Sequence, residues 1–158
     1  MGSGVSKPMS ARADIPGWSQ LVDWFGFEPD FHDAEVLGID FRRAPLPTTL
    51  SVYTWRMTSE VDHNGFYVLD RHATVAFILE GVAVEEFKGW NHQNVLYGVS
   101  ITRQASAFSV SQRFKLHLDS SFGLEATFTA DAVTVDLIPG KIEDKSLIPG
   151  QSRPRAYL

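Results

Sequence analysis

The sequence predicts an α+β domain, with one N-terminal helix packed on a strongly twisted, mainly antiparallel sheet of about six to seven strands. One segment, residues 18–25, has the helical spacing of apolar residues. Most of the remaining chain alternates apolar and polar residues in short runs bounded by turn residues, which is typical of strands. These runs follow one another at hairpin distances, too close for crossover helices, and this spacing favours antiparallel pairing.

The helix is predicted to begin near Pro16, because proline suits the first helical turn, where its missing N–H group is not needed. Its apolar residues recur at i, i+3, i+4 and i+7, and they are Trp18, Leu21, Val22 and Phe25. Gly26 is predicted to end the helix, since glycine readily adopts the left-handed conformation that closes many helices.

Seven runs are predicted as strands, at residues 37–41, 49–57, 73–84, 94–103, 108–118, 124–128 and 133–137. The run at 73–84 is almost continuously apolar, which predicts a central strand covered on both faces, although a helix also fits it. The clearest alternation lies in 108–118, where Phe114, Leu116 and Leu118 share one face while Lys115 and His117 share the other.

A chain of 158 residues has the usual size of one domain, which we expect to span residues 13–138. Residues 1–12 are rich in Gly, Ser and Pro and are predicted to be a disordered lead or a cloning scar. Residues 139–158 contain three prolines, which predicts an extended tail that cannot continue a sheet.

Cysteine is absent, so disulfides, thiolate metal ligands and cysteine nucleophiles are excluded. The N-terminal residues lack a signal-peptide pattern, and no stretch reaches the ~18 consecutive apolar residues of a membrane helix. We therefore expect a cytoplasmic protein without a membrane partner. Nucleophile-elbow, phosphate-loop and zinc-protease motifs are also absent from the sequence, so we expect no enzyme.

The net charge of −5 is unevenly distributed. Between Ala13 and Phe41 there is no Lys or Arg, and the acids are Asp14, Asp23, Glu28, Asp30, Asp33, Glu35 and Asp40. The rest of the chain is close to neutral. Such an acidic segment disfavours nucleic acid and favours a basic partner, although a merely solvated face explains it equally well.

The densest group of potentially reactive side chains is His32, Asp33 and Glu35. With the distant His63 or His72 they would offer imidazole and carboxylate ligands for a metal-assisted hydrolase. No His pair has ligand spacing, however, so we expect neither a metal nor a cofactor. The alternative, which we expect, is a structural role: His32 and Asp33, buried or partly buried, bond backbone groups where the chain turns into the sheet.

A further candidate is an aromatic groove for a small ligand. The residues that would line it are Trp24, Tyr53, Trp55, Trp90 and Tyr97. Packing against the sheet is the expected use of most of them. A small-ligand-binding module is thus one alternative to a protein-binding domain.

Residues 24–36 read WFGFEPDFHDAEV. This stretch resembles the WFG-x-x-P-x-FHDAEV motif of the immunity protein fifty family, predicted antidotes in bacterial polymorphic toxin systems. Residues 86–95, EFKGWNHQNV, are similar to the family's F-x-x-x-N-x-Q-N-V/I pattern, and the resemblance covers about residues 17–138. It implies a small α+β protein that binds a toxin domain and blocks it, and it assigns no catalytic residue.

The favoured hypothesis is therefore a protein that neutralises a cognate toxin by occlusion, through a surface that includes the acidic segment. The residues expected to contact this partner are Asp23, Trp24, Phe27, Glu28 and Asp30, with the aromatic side chains as anchors where they are exposed. The small-ligand module and the metal-assisted hydrolase are the alternatives. An open sheet edge would also allow a homodimer.

Overall fold

The computed structural model of the protein describes residues 11–104 and 113–142. A short 3-10 turn, Arg12–Asp14, precedes the helix α1, Trp18–Phe25. The strands in the described ranges are β1 Glu35–Asp40, β2 Thr48–Val61, β3 Tyr67–Glu80, β4 Ala83–Lys88, β5 Val95–Arg103, β6 Phe114–Phe122, β7 Glu125–Ala130 and β8 Ala132–Pro139. The expected combination of one helix with a mainly antiparallel sheet is confirmed.

The prediction of six to seven strands is wrong, because the sheet has eight strands within the described residues. The error lies in the apolar run at 73–84, which is neither one strand nor a helix. β3 ends at Glu80, Gly81 adopts a left-handed φ of 62°, and β4 begins at Ala83. A glycine permits this change of direction inside an apolar run because it has no Cβ to hinder it.

The strands form one sheet in the order β4-β7-β6-β5-β1-β2-β3-β8. All neighbours pair antiparallel, and both β1–β2–β3 and β5–β6–β7 are successive neighbours, as the hairpin spacing predicts. The two groups join where Glu35 of β1 pairs with Val95 of β5. The FHDAEV residues therefore lie at the seam between the two halves of the sheet.

The sheet curves around a hydrophobic core that both groups of strands supply. The ring of Phe41, just after β1, lies 6.0 Å from that of Phe87 in β4 and 6.1 Å from that of Phe128 in β7. Three strands separate β1 from β4 in the sheet order. In a flat sheet with strands ~4.8 Å apart, these two strands would be about 20 Å apart, so the contact requires strong curvature.

Helix α1 contributes its apolar side to the same core. Its buried side chains are Trp18, Leu21 and Phe25. Gly26 follows with a left-handed φ of 80° and donates its N–H to the carbonyl of Val22, which confirms the predicted C-terminal cap.

The start of the helix is attached to the last strand. Gly17 is the N-cap, with a φ of 89°, and a Cβ at this position would overlap the carbonyl oxygen of Val135 in β8. The carbonyl of Pro16 accepts the N–H of Val135 at 3.0 Å. Pro16 therefore lies before the N-cap and not in the first helical turn, because this contact holds it against β8.

The folded part begins before residue 13. Ala11 is buried and donates its N–H to the carbonyl of Ile101 at 3.0 Å. The side chain of Arg12 donates to the carbonyl of Val99 at 2.6 Å. These two residues of the predicted lead thus belong to the fold, while residues 1–10 lie outside the described ranges.

Near the other end, Pro139 closes β8 by pairing with Ala73 of β3, so the last strand extends one residue beyond the expected domain limit. Residues 143–158 of the predicted tail, and residues 108–112 of the predicted strand 108–118, lie outside the described ranges. Within those ranges, no helix has the length and apolar character needed to cross a membrane.

Candidate functional site

The loop between α1 and β1 carries the FHDAEV residues. Phe31 and Asp33 both adopt left-handed backbone conformations with φ of 63°, which only a few per cent of non-glycine residues do. The Asp30 carboxylate accepts the N–H of His32 at 2.9 Å, and the N–H of Asp33 donates to the carbonyl of Leu96 at 2.9 Å. The loop is therefore fixed by a local turn and by β5 together.

This backbone conformation decides which side chains face the core. Phe31 is buried, with its ring 5.4 Å from that of Phe77 and 6.2 Å from that of Trp18. His32 is exposed, with 51% of its side chain accessible, so the expectation that it is buried or partly buried is wrong. The left-handed turn at Phe31 directs that ring inward and leaves the next residue outside. Asp33 is half-buried.

The exposed imidazole of His32 still has defined contacts. Its Nδ1 lies 3.2 Å from the carbonyl oxygen of Tyr97, and its ring stands edge-on to the Tyr97 ring at 5.2 Å between centroids. Its Nε2 lies 3.7 Å from the carboxylate of Asp33. In this position His32, together with Asp30, lines two different clefts.

The first of these, the acidic cleft, lies between the loop and β2 and has a volume of about 230 Å³. Its lining combines Phe25, Phe27, Pro29, Phe31, Trp55 and Met57 with Asp30, His32, Asp33 and Thr54. Phe27 and Met57 are 48% and 50% exposed. A hydrocarbon wall beside carboxylates fits a Lys or Arg side chain, whose stem packs on apolar groups while its charge meets the acids.

The second, the polar cleft, has a volume of about 530 Å³. Its lining residues are Arg12, Asp30, His32, Tyr97, Gly98, Val99, Ser100, His117 and Asp119. It brings the loop next to β5 and β6, and two imidazoles and two carboxylates open onto it. Sequence spacing does not indicate that these side chains line one cleft, because His32 and His117 are far apart along the chain.

The acidic segment is divided in the structure. Asp14 pairs with Arg103 at 2.8 Å, and Asp40 pairs with Arg42 at 2.9 Å. Glu35 is buried in β1. The exposed acids that remain outside these ion pairs are Asp23, Glu28 and Asp30. The exposed acidic surface is thus smaller than the segment, and of its three acids Asp30 lines the acidic cleft.

The two predicted aromatic anchors differ in their availability. Trp24 is partly buried against the core, its Nε1 donates to the carbonyl of Arg71 at 3.0 Å, and the Arg71 guanidinium lies 4.9 Å from its ring centroid. Phe27, by contrast, is exposed at the acidic cleft. Only Phe27 of this pair presents a largely open face to a partner.

The structure does not assemble the predicted hydrolase ligands. His63 lies in the turn between β2 and β3. The Nδ1 of His72 lies 2.6 Å from the hydroxyl oxygen of Tyr53, and burial lowers the pKa of His72. Within the described residues, the His, Asp and Glu ligand atoms that lie within 4.8 Å of one another belong to a different set: His117, Asp119 and Glu125.

The sequence analysis does not predict this second set, although the spacing of two of its members is visible in the sequence. His117 lies in the predicted strand 108–118 and Asp119 directly follows that strand, and two residues at this spacing share a face where the strand continues. The third member, Glu125, comes from the next strand, and only the register of β6 with β7 reveals that it is close.

The five aromatic residues of the predicted groove do not line one cleft. Trp55 lines the acidic cleft and Tyr97 the polar cleft. Trp90 stacks on Phe87 at 6.4 Å between ring centroids, and Trp24 lies under Arg71. Most of these side chains pack against neighbouring rings or cations, so no common aromatic groove is formed by them.

Comparisons with protein-family models, with curated proteins and with solved structures found no match to this chain. The resemblance to the immunity protein fifty family therefore stays a prediction from residues 24–36 and 86–95.

Proposed function

We propose that this domain is an immunity protein that acts in the bacterial cytoplasm by binding a cognate toxin domain and occluding it. The observation that carries the proposal is the acidic cleft, where exposed Phe27 and Met57 lie beside the carboxylates of Asp30 and Asp33. The family resemblance of residues 24–36 supports the same role. The expected partner surface is basic and inserts a Lys or Arg side chain into the cleft.

Phe27 is the anchor of this proposed interface. Aromatic side chains that become buried dominate the binding energy of many protein complexes. Phe27 packs on Phe25 with 6.4 Å between ring centroids, yet it is 48% exposed. Full burial of such a side chain stabilises by about 1.5–3 kcal/mol, so covering the exposed half contributes roughly 1 kcal/mol from area alone.

The charge of the acidic cleft is not cancelled by the arginine beside it. Arg56 precedes Met57 in β2 and donates two hydrogen bonds to Asp70, from Nε at 2.8 Å and from Nη2 at 2.6 Å. These hydrogen bonds raise the pKa of Arg56 and lower that of Asp70. Because Arg56 is already paired with Asp70, it does not neutralise the acids of the cleft, whose charge can steer a basic partner.

The positions of the potential acid and base groups favour binding over catalysis. Glu35 is buried, and the imidazole of His72 is occupied by Tyr53. His32 contacts a backbone carbonyl through Nδ1. General acid–base catalysis requires titratable groups that reach one reacting atom, and the predicted trio of His32, Asp33 and Glu35 does not open onto a common cleft.

Co-expression tests the proposal directly. The C-terminal domain encoded by the neighbouring gene is produced in a bacterium with and without this protein, and the mixture is run on a sizing column. Rescue of growth and co-elution are expected. Absence of both would end the immunity proposal and favour the small-ligand module.

The role of the acidic cleft is tested with the Phe27→Ala variant. We expect it to weaken the complex by roughly 30-fold, which corresponds to the ~2 kcal/mol of a typical anchor residue. Leu46→Ala is the matched control, because Leu46 is 59% exposed but lies in the β1–β2 connection outside the cleft lining. Equal weakening by both variants would contradict the assignment of this cleft as the binding site.

A further inference from the structure

We propose that His117, Asp119 and Glu125 form a binding site for a divalent transition metal ion, with Zn²⁺ as the preferred ion. One imidazole nitrogen and two carboxylate oxygens of these residues lie within 4.8 Å of one another. The site is distinct from the acidic cleft, and its test does not depend on the immunity function.

The register of two paired strands, β6 and β7, produces this arrangement. His117 and Asp119 alternate with Leu118 in β6, so both project from the same face of the sheet. β6 pairs with β7 through His117 and Thr127, and this register places Glu125 beside Asp119. Neighbouring strands are ~4.8 Å apart, so modest side-chain rotation brings the three ligand atoms to the shorter separations around a bound ion.

The imidazole of His117 is already oriented. Its Nδ1 lies 2.7 Å from the hydroxyl oxygen of Thr127, which is buried. A hydrogen-bond partner on one ring nitrogen fixes the ring plane and leaves the other nitrogen for an ion, as in many metal sites. This contact reduces the ordering that metal binding would otherwise require.

The polar cleft supplies access and space. His117 and Asp119 line this cleft, whose volume is about 530 Å³. Gly98 of β5 pairs with Asp119 and has no side chain to cover the carboxylate. Three protein ligands leave coordination positions for water or for a side chain of a partner.

Lys88 competes with the proposed ion. Its Nζ lies 3.1 Å from Glu125 Oε2 and 3.0 Å from Glu86 Oε1. Glu86 would keep the ammonium group paired when Glu125 turns to an ion, so the Lys88–Glu125 contact is replaceable. Removal of the lysine charge should therefore strengthen metal binding.

The chemistry of the ligands selects the ion. One imidazole with two carboxylates suits Zn²⁺, whereas Mg²⁺ and Ca²⁺ prefer sites made of oxygen ligands alone. The sequence predicted no metal because no His pair has ligand spacing, but this set draws its members from two paired strands.

Calorimetric titration of the tag-free full chain with ZnCl₂ tests the site. One equivalent of Zn²⁺ is expected to bind, and His117→Ala should abolish this binding. Thr127→Val should weaken it by about tenfold through loss of ring orientation, and Lys88→Gln should strengthen it severalfold. His63→Ala is the control, because His63 is exposed in the β2–β3 turn, and it should bind as the wild type does.

A measurement on the wild-type chain tests the site without any variant that could misfold. In a ¹H–¹⁵N spectrum of the histidine rings, Zn²⁺ should shift the ring nitrogens of His117 and leave those of His63 unchanged. Absence of stoichiometric binding, Zn²⁺ binding that survives in a folded His117→Ala variant, or weaker binding by Lys88→Gln would each overturn the proposal.

Discussion

Among the residues that the structure describes, Asn94 is a buried polar side chain on which we expect the stability of this fold to depend strongly. It is only 3% exposed, just before β5. Its Oδ1 accepts the N–H of Asn91 at 3.0 Å and that of Leu124 at 2.9 Å, and its Nδ2 donates to the carbonyl of Asn91 at 2.9 Å. Asn94→Ala removes all three hydrogen bonds at once.

At about 1 kcal/mol for each hydrogen bond, the free energy of unfolding should fall by about 3 kcal/mol. Urea unfolding followed by tryptophan fluorescence measures this loss, which at a slope of about 2 kcal/mol per molar corresponds to a midpoint lower by about 1.5 M. Asn91→Ala is the control, since the side chain of Asn91 is exposed and its Oδ1 contacts the backbone N–H and the ring Nδ1 of His92. It should cost less than about 1 kcal/mol.

A loss below about 1 kcal/mol for Asn94→Ala at an unchanged slope would refute the reasoning, because three buried bonds would then contribute almost nothing. The expected result would also explain Asn94 within residues 86–95. Its place in the family-like pattern would reflect the attachment of β5 to the β6–β7 turn, and no contact with a partner would be needed.

Two further variants test the loop and the edge of the core. Asp33→Ala should lower the free energy of unfolding by about 1 kcal/mol and Asp33→Gly by less, because a φ of 63° strains alanine more than aspartate or glycine. Thermal unfolding measures both losses. Equal losses would show that the contacts of the carboxylate, and not the backbone conformation, determine the effect. Burial lowers the pKa of His72 in the folded state, so as the pH falls this imidazole is protonated more readily in the unfolded chain than in the folded chain. Stability should therefore decrease as the pH falls below about 6.5, and His72→Gln should flatten this dependence of the melting temperature on pH. A wild-type slope that persists in His72→Gln would assign it to another group.

The elements that depend on local pattern were predictable. The helical spacing of Trp18, Leu21 and Phe25 and the glycine after them are enough to place α1, and alternation places most strands. The prediction for the run at 73–84 is wrong because composition alone does not show that Gly81 interrupts the strand. Its apolar character comes from two strands that lie far apart in the sheet, so no local period distinguishes them.

The candidate site was predictable only in part. The motif located the loop, but the exposure of His32 follows from the left-handed turn at Phe31, which residue type does not reveal. The acidic segment was visible, yet the neutralisation of Asp14 by Arg103 is a tertiary contact. The register of β6 with β7 likewise places Glu125 close to His117, and the spacing of these residues along the chain does not predict this.

We expect the exposed acids of residues 14–40, which include Asp30 of the acidic cleft, to attract a basic partner. The most direct test of this claim is the association rate with the neighbouring gene's C-terminal domain as a function of salt. The test protein carries Asp23→Asn, Glu28→Gln and Asp30→Asn. Each amide keeps an oxygen acceptor, so the hydrogen bonds from Trp18 and from the backbone of His32 are retained.

A second triple variant, Glu60→Gln, Glu80→Gln and Asp136→Asn, changes the net charge equally at exposed acids outside residues 14–40. Screening over a Debye length of ~8 Å at physiological salt makes exposed charges act mainly on approach. We expect about tenfold slower association at low salt, and a flatter salt dependence, for the first triple variant alone. Equal slowing by both variants, or no slowing by the first, would contradict it.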